Sequence, residues 1–218
     1  MKHLKEFFKN KSNKVAFKYR HYLEVYETFF SKFRNTNVNV LEVGVNKGGS
    51  LQMWKQYFGP NSNIFGVDIL KKSKMHEEDG IKIFIGDQGD RVFLKDLVNK
   101  LPKLDIVIDD GGHTMLQQIV TFEELFPHVS EHGIYLCEDV QTSYRKKYGG
   151  GYLKNGTFIE YSKSFIDQIH AWDFKSGKFF SGEFTRSIFA VHYYNGMVVI
   201  EKRPMKRLGL ITNKRAVI

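Results

Sequence analysis

The sequence predicts an α/β fold: a mostly parallel sheet with helices on both faces, finished by an antiparallel hairpin. Three observations lead there. Short apolar runs alternate with stretches of helical spacing between residues 38 and 126, and those runs end on glycines or acidic residues. Near the C-terminus, Asn195–Gly196 stands between two β-rich apolar runs. Short buried strands alternating with helices imply parallel pairing, and Asn-Gly in that setting marks a tight hairpin.

The elements follow in order. Phe17, Tyr22, Val25, Tyr26, Phe29 and Phe30 recur at helical spacing, which predicts an amphipathic helix over Lys14–Phe33 within an N-terminal helical segment, 1–36. Val38–Val45 reads as the first strand, followed by glycines and a helix over Ser50–Phe58. Asn63–Ile69 is the second strand; Ile81–Ile85 is the third, with a helix over Arg91–Leu101. Leu104–Ile108 is the fourth, with a helix over Leu116–Phe126, and Gly133–Cys137 is the fifth. The Tyr-, Lys- and Gly-rich stretch 140–156 is expected to form a lid loop, ahead of a helix over Phe158–Trp172. Ser187–Tyr193 and Met197–Glu201 form the hairpin. Repeats and Pro/Ser-rich linkers are absent, so one domain, 1–218, is expected.

Composition narrows the classes. Lys and Arg exceed Asp and Glu by 33 to 24, a formal charge of +9 that favours an anionic partner. The single cysteine, Cys137, excludes an intramolecular disulfide and a multi-cysteine zinc site, and reads as a small buried hydrophobe. No stretch is long or apolar enough to span a bilayer. Met1–Lys11 lacks a signal-peptide core, so a cytoplasmic protein is expected.

Ligands of open parallel sheets bind beyond the carboxyl ends of the strands. Here those ends carry Glu42 and Gly44, Asp68, Asp87, Asp109–Asp110 and Glu138–Asp139. The first loop, Glu42-Val43-Gly44-Val45-Asn46-Lys47-Gly48-Gly49-Ser50, matches neither the dinucleotide spacing nor a P-loop. Its glycines would let the backbone approach an adenosyl group, while the acid could face an ammonium. Asp68 could accept hydrogen bonds from ribose hydroxyls. Gly86-Asp87-Gln88 offers a carboxylate and an amide to the adenine amino edge.

The sharper constellation is Asp109-Asp110-Gly111-Gly112-His113 with Glu138-Asp139. Adjacent strand ends bring these carboxylates together, where an unneutralised cluster would repel itself. Oxygen donors without sulfur suit a hard cation, Mg²⁺ first and Mn²⁺ or Ca²⁺ next. His113 follows two glycines that permit a sharp turn, and imidazole titrates near neutrality, so it is the candidate general base.

These strings resemble the metal-dependent sugar O-methyltransferases of macrolide biosynthesis, the macrocin and mycinamicin type. They are Leu41-Glu42-Val43-Gly44-Val45 with Lys47-Gly48-Gly49-Ser50, Gly86-Asp87-Gln88, Ile108-Asp109-Asp110-Gly111-Gly112-His113, Leu125-Phe126-Pro127-His128, and Glu138-Asp139 with Thr142-Ser143-Tyr144. The resemblance implies a Rossmann-like class I methyltransferase fold of seven strands, the last antiparallel. It implies that Asp110, Glu138 and Asp139 bind Mg²⁺ while His113 takes the hydroxyl proton. Glu42, Gly44, Ser50, Asp68, Asp87 and Gln88, with Asp109 beside them, map onto the S-adenosylmethionine side. Arg145 stands where relatives often carry Trp.

The expected activity is therefore metal-assisted O-methylation of a sugar or glycan hydroxyl, with the acceptor's charge and any homo-oligomer left open. The alternatives are a catechol-like diol as acceptor, or nucleic-acid methylation suggested by the basic charge. The second would bring steep salt dependence and gives no reason for a carboxylate cluster. A non-catalytic adenosyl-binding protein would leave His113 and its carboxylates without a task. The basic run Tyr144-Arg145-Lys146-Lys147-Tyr148 is a candidate contact for an anionic glycan.

Overall fold

A computed structural model describes residues 2–9, 14–173 and 182–211 of the chain. Its centre is one seven-stranded sheet: β1 (Asn39–Val43), β2 (Asn63–Asp68), β3 (Ile81–Ile85), β4 (Leu104–Asp109), β5 (Val129–Glu138), β6 (Ile188–Tyr194) and β7 (Met197–Lys202), in the order β3-β2-β1-β4-β5-β7-β6. The first five strands run parallel, and β7 is antiparallel to both β5 and β6. This is the predicted sheet, hairpin included. Tyr194 pairs with Met197 across the Asn195–Gly196 turn, where Gly196 has φ +82°. β5 runs longer than predicted, starting at Val129 through an irregularity in its pairing with β4, and β6 is shifted by one residue, to Ile188–Tyr194.

Strand residues alternate between faces, so each apolar run feeds two cores. Val40, Ile106, Ile108, Ile134 and Leu136 join the core built with Tyr26, Phe30, Trp54 and Phe58. Those aromatics come from α2 (Tyr22–Phe30) and α3 (Gly49–Phe58). Leu41, Val43, Val107, Tyr135 and Cys137 face the other way, against Leu94, Phe122, Phe126 and Phe165. That layer is built by α4 (Arg91–Val98), α5 (Met115–Leu125) and α6 (Phe158–His170). Thr114 and Gln117 close a capping box at the start of α5. Cys137 is buried, as expected.

The N-terminal segment differs from its prediction. A first helix, α1 (Lys2–Lys9), precedes it, and the helix expected over Lys14–Phe33 exists only as α2, with a short turn over Ser31–Phe33. Residues 15–19 carry no regular structure and run against the start of α3: a Cβ on Gly49 would lie 2.3 Å from the Val15 carbonyl carbon. The helical spacing is real from Tyr22 onward, whereas Phe17 is 65% exposed. Within this stretch Lys18 is buried and ion-paired, as described below.

The segment expected to be a lid, 140–156, forms two short turns, Val140–Tyr144 and Lys146–Tyr148. They are closed by Gly150 N–H to Arg145 O and Gly151 N–H to Ser143 O. Among the described residues, no helix is long and apolar enough to cross a membrane.

Candidate active site

A cavity of about 450 Å³ opens at the carboxyl edge of β1, β2, β3 and β4, a size that suits a cofactor. Gly44, Ser50, Asp68, Asp87, Gln88, Asp110, His113 and Asp139 line it, as do Val15–Lys18. Of the residues singled out in the sequence, only Glu42, Asp109 and Glu138 are not on its wall.

Gly44 sits at φ +96°, and a Cβ there would come within 2.1 Å of the Asp110 carbonyl oxygen. Glycine thus lets the β1 and β4 loops touch. Asp68 pins the neighbouring turns: its Oδ2 accepts from the Val45 and Asn46 amides at 3.1 and 2.9 Å, and its Oδ1 from Leu70 N–H at 2.8 Å. Ile69 and Leu70 beside it are exposed apolar side chains at the cavity wall, suited to a flat base. Asp87 Oδ1 accepts from Gly89 N–H at 2.8 Å.

Gln88 is committed to the protein. Its amide nitrogen donates to Asp109 Oδ1 and Thr121 Oγ1, both at 2.9 Å, and its Oε1 accepts from Gly112 N–H at 2.7 Å. It shapes the Gly111–Gly112 loop, and its side-chain amide is spent there.

Glu42 was expected to face the cofactor's ammonium; it faces an ammonium of the protein instead. Fully buried, it accepts from Ser50 Oγ at 2.5 Å and from Lys18 Nζ at 3.1 Å. Lys18 Nζ also donates to Asp110 Oδ2 at 2.6 Å and Glu138 Oε1 at 2.9 Å. The Lys18 side chain is 1% exposed. Burial alone would lower its pKa, but Asp110, Glu138 and Glu42 together hold it well above the ordinary lysine value. Burial raises the carboxyl pKa of Glu42, with Lys18 opposing.

Glu138, expected as a third metal ligand, is buried and off the cavity wall, with only one of its oxygens hydrogen-bonded. Its Oε1 accepts from Tyr26 OH at 2.6 Å as well as from Lys18. Burial and the neighbouring Asp110 push its carboxyl well up, against Lys18. Asp109 completes this buried set. Alternation along β4 turns it toward Tyr135 and Cys137 on the opposite core, away from the cofactor side where it was expected. Burial raises its carboxyl pKa to about 7, tempered by hydrogen bonds from Gln88 and the Gly111 backbone.

Asp110, His113 and Asp139 stand together on the wall, each offering a ligand atom within 4.8 Å of the others. His113 Nε2 lies 3.9 Å from Asp110 Oδ1 and 3.7 Å from Asp139 Oδ2. Both His113 and Asp139 have positive φ, +57° and +54°, conformations uncommon outside glycine that often mark functional turns. The His113 carbonyl accepts from Thr142 Oγ1 at 3.0 Å, which ties the two loops. Its Nδ1 is buried and has no hydrogen-bond partner. Two converging carboxylate oxygens beside an orphaned imidazole fit a hard divalent cation.

Lys18 is the residue of the site that sequence reasoning missed. A lysine is rarely buried unless paired, and its partners lie 24, 92 and 120 residues away in sequence. The surplus of acids at the strand ends was the one available signal that some cation must enter.

This sheet order, with its acidic carboxyl edge, defines the class I methyltransferase architecture. An O-methyltransferase from Bacillus cereus solved with SAH has the same fold, with a TM-score of 0.55 at 10% identity over 93% of this chain and 91% of that one. No protein-family model matches the chain.

Within that class the chain is a homologue of the macrolide and tetracenomycin sugar O-methyltransferases. It is 34% identical over 203 residues to 8-demethyl-8-alpha-L-rhamnosyl tetracenomycin-C 2'-O-methyltransferase from Streptomyces olivaceus, covering 89% of this chain and 53% of that protein. Mycinamicin VI 2''-O-methyltransferase from Micromonospora griseorubida is 38% identical over 188 residues, 81% of this chain and 47% of its own. The solved MycE methyltransferase of the mycinamycin pathway, in complex with Mg, SAH and mycinamycin VI, superposes with a TM-score of 0.83 at 33% identity. That match covers 99% of this chain and 56% of the MycE chain. The chain thus spans about half the length of the curated relatives it matches.

Proposed function

We propose that the chain transfers a methyl group from S-adenosylmethionine to a hydroxyl of a sugar or glycan, aided by a divalent cation, Mg²⁺ first. The observation that carries this reading is the presence of Asp110, His113 and Asp139 together in the wall of a cavity whose other wall is Gly44, Asp68 and Asp87. The relatives' substrates, a rhamnosyl tetracenomycin and mycinamicin VI, favour a sugar over a catechol-like diol.

Asp68 and Asp87 would bind the ribose and adenine, with Ile69 and Leu70 against the base. Asp110 and Asp139 would hold the cation, with Glu138, held by the protein at Oε1 alone, as the third carboxylate ligand. When bound, the cofactor would supply an electrophilic methyl, and the cation would lower the pKa of an acceptor hydroxyl and orient it. His113 Nε2 takes the proton as the oxygen–methyl bond forms and the sulfur–methyl bond breaks. Positioning and charge carry the reaction, because a methyl group has no carbonyl to polarise.

A second cavity of about 370 Å³, lined by Tyr144, Tyr193, Tyr194, Lys163 and Gln141, adjoins Asp139 along the chain and would take the rest of the acceptor. Its lysine, with the exposed Lys146 and Lys147 nearby in sequence, favours an anionic glycan.

The test is transfer of labelled methyl from S-adenosylmethionine to rhamnosylated acceptors, neutral and acidic, with and without EDTA. Transfer that EDTA stops and Mg²⁺ restores is expected. Transfer indifferent to EDTA would remove the cation from the reaction.

A further inference from the structure

We infer that Lys18 and Tyr22, both from the N-terminal segment, are positioning residues for the divalent cation. This rests on the reading of Asp110 and Asp139 given above. Each of these carboxylates is held by one oxygen and presents the other. Asp110 Oδ2 accepts from Lys18 Nζ at 2.6 Å, and its Oδ1 is the oxygen 3.9 Å from His113 Nε2. Asp139 Oδ1 accepts from Tyr22 OH at 2.8 Å and Gln141 Nε2 at 3.2 Å, and its Oδ2 is the oxygen 3.7 Å from the same nitrogen. The two presented oxygens therefore converge on His113, while the other two are taken by Lys18 and Tyr22.

Groups that grip the far oxygen of a ligating carboxylate fix its orientation, and their loss commonly weakens metal binding 10- to 100-fold. Lys18 Nζ engages Asp110 Oδ2, Glu138 Oε1 and Glu42 Oε1, and leaves Asp110 Oδ1 and Asp139 Oδ2 facing His113 for the cation. Lys18 also reaches Glu42, one residue before the cofactor-loop strand end Val43, so the same side chain ties the cation's ligand to the floor of the cofactor loop. Tyr22 links Asp139 to the hairpin, its hydroxyl lying 3.0 Å from the Gly196 carbonyl.

The experiment is calorimetric titration of Mg²⁺ into the SAH-loaded full chain, comparing the unaltered protein with Tyr22→Phe and Lys18→Met. SAH affinity is measured in parallel. Tyr22→Phe should weaken Mg²⁺ several-fold and leave SAH within about twofold; Lys18→Met should weaken Mg²⁺ by about 10- to 100-fold. If Lys18→Met does not fold, Tyr22→Phe decides alone. Tighter Mg²⁺ binding in Lys18→Met would mean that the ammonium competes with the cation, and overturns the inference. So does unchanged Mg²⁺ affinity in both variants, or equal loss of SAH and Mg²⁺, which marks general structural damage. An unaltered protein that binds no Mg²⁺ overturns the reading of the site as well.

Discussion

The carboxylates at the carboxyl edge of the sheet divide into two layers that differ in what satisfies them. Glu42 and Asp109 are buried with both oxygens taken by protein groups, Lys18 and Ser50 at Glu42, Gln88 and Tyr135 at Asp109, whereas buried Glu138 is held at Oε1 alone, by Tyr26 and Lys18. Asp110 and Asp139 lie in the wall, each held by one oxygen with the other turned to His113. Neighbours in sequence thus differ: Asp109 has both oxygens taken by the protein, and Asp110 only one. Asp110 and Asp139 are thus set apart from Glu42 and Asp109 by one oxygen that no protein group takes.

Three substitutions press on that division, in decreasing size. His113→Ala should cut methyl transfer by about 10²- to 10⁴-fold while SAH affinity, read by calorimetry, stays near that of the unaltered protein. Equal loss of both would make His113 a shaper of the cofactor pocket rather than a base. Asp68→Asn, in the wall, should weaken SAH about tenfold, the scale of one charge-assisted hydrogen bond. Unchanged affinity would move Asp68 to the supporting layer.

Asp109→Asn, in the buried layer, should spare ligand binding and alter only the pH dependence of stability. Burial raises the Asp109 pKa from 3.8 to about 7, so the fold favours its neutral form. Its contribution is then fully present below about 3.8 and is lost as pH rises through about 7. The asparagine variant should lose less stability than the unaltered protein in melting curves taken from pH 5 to pH 8. Matching slopes would place the pH dependence elsewhere.

The sheet was legible because its signals are local. Apolar runs and the Asn195–Gly196 turn each act within a few residues. The candidate residues were legible as a set, since eight of them line one cavity. Their division was not, because it depends on which face each side chain takes and on partners from distant segments. Parity along β4 could have separated Asp109 from Asp110. Nothing local could have placed Lys18, since a lysine beside Phe17 and Tyr19 reads as the solvated side of a helix. Its burial follows from the acids waiting for it, a property of the assembled edge alone.

The division is tested most directly by titrating Mg²⁺ calorimetrically into the SAH-loaded protein and into its Asp139→Asn and Asp109→Asn variants. The account predicts that Asp139→Asn abolishes the Mg²⁺ heat while Asp109→Asn, one strand away and off the wall, binds as the unaltered protein does. Equal binding by Asp139→Asn would contradict it.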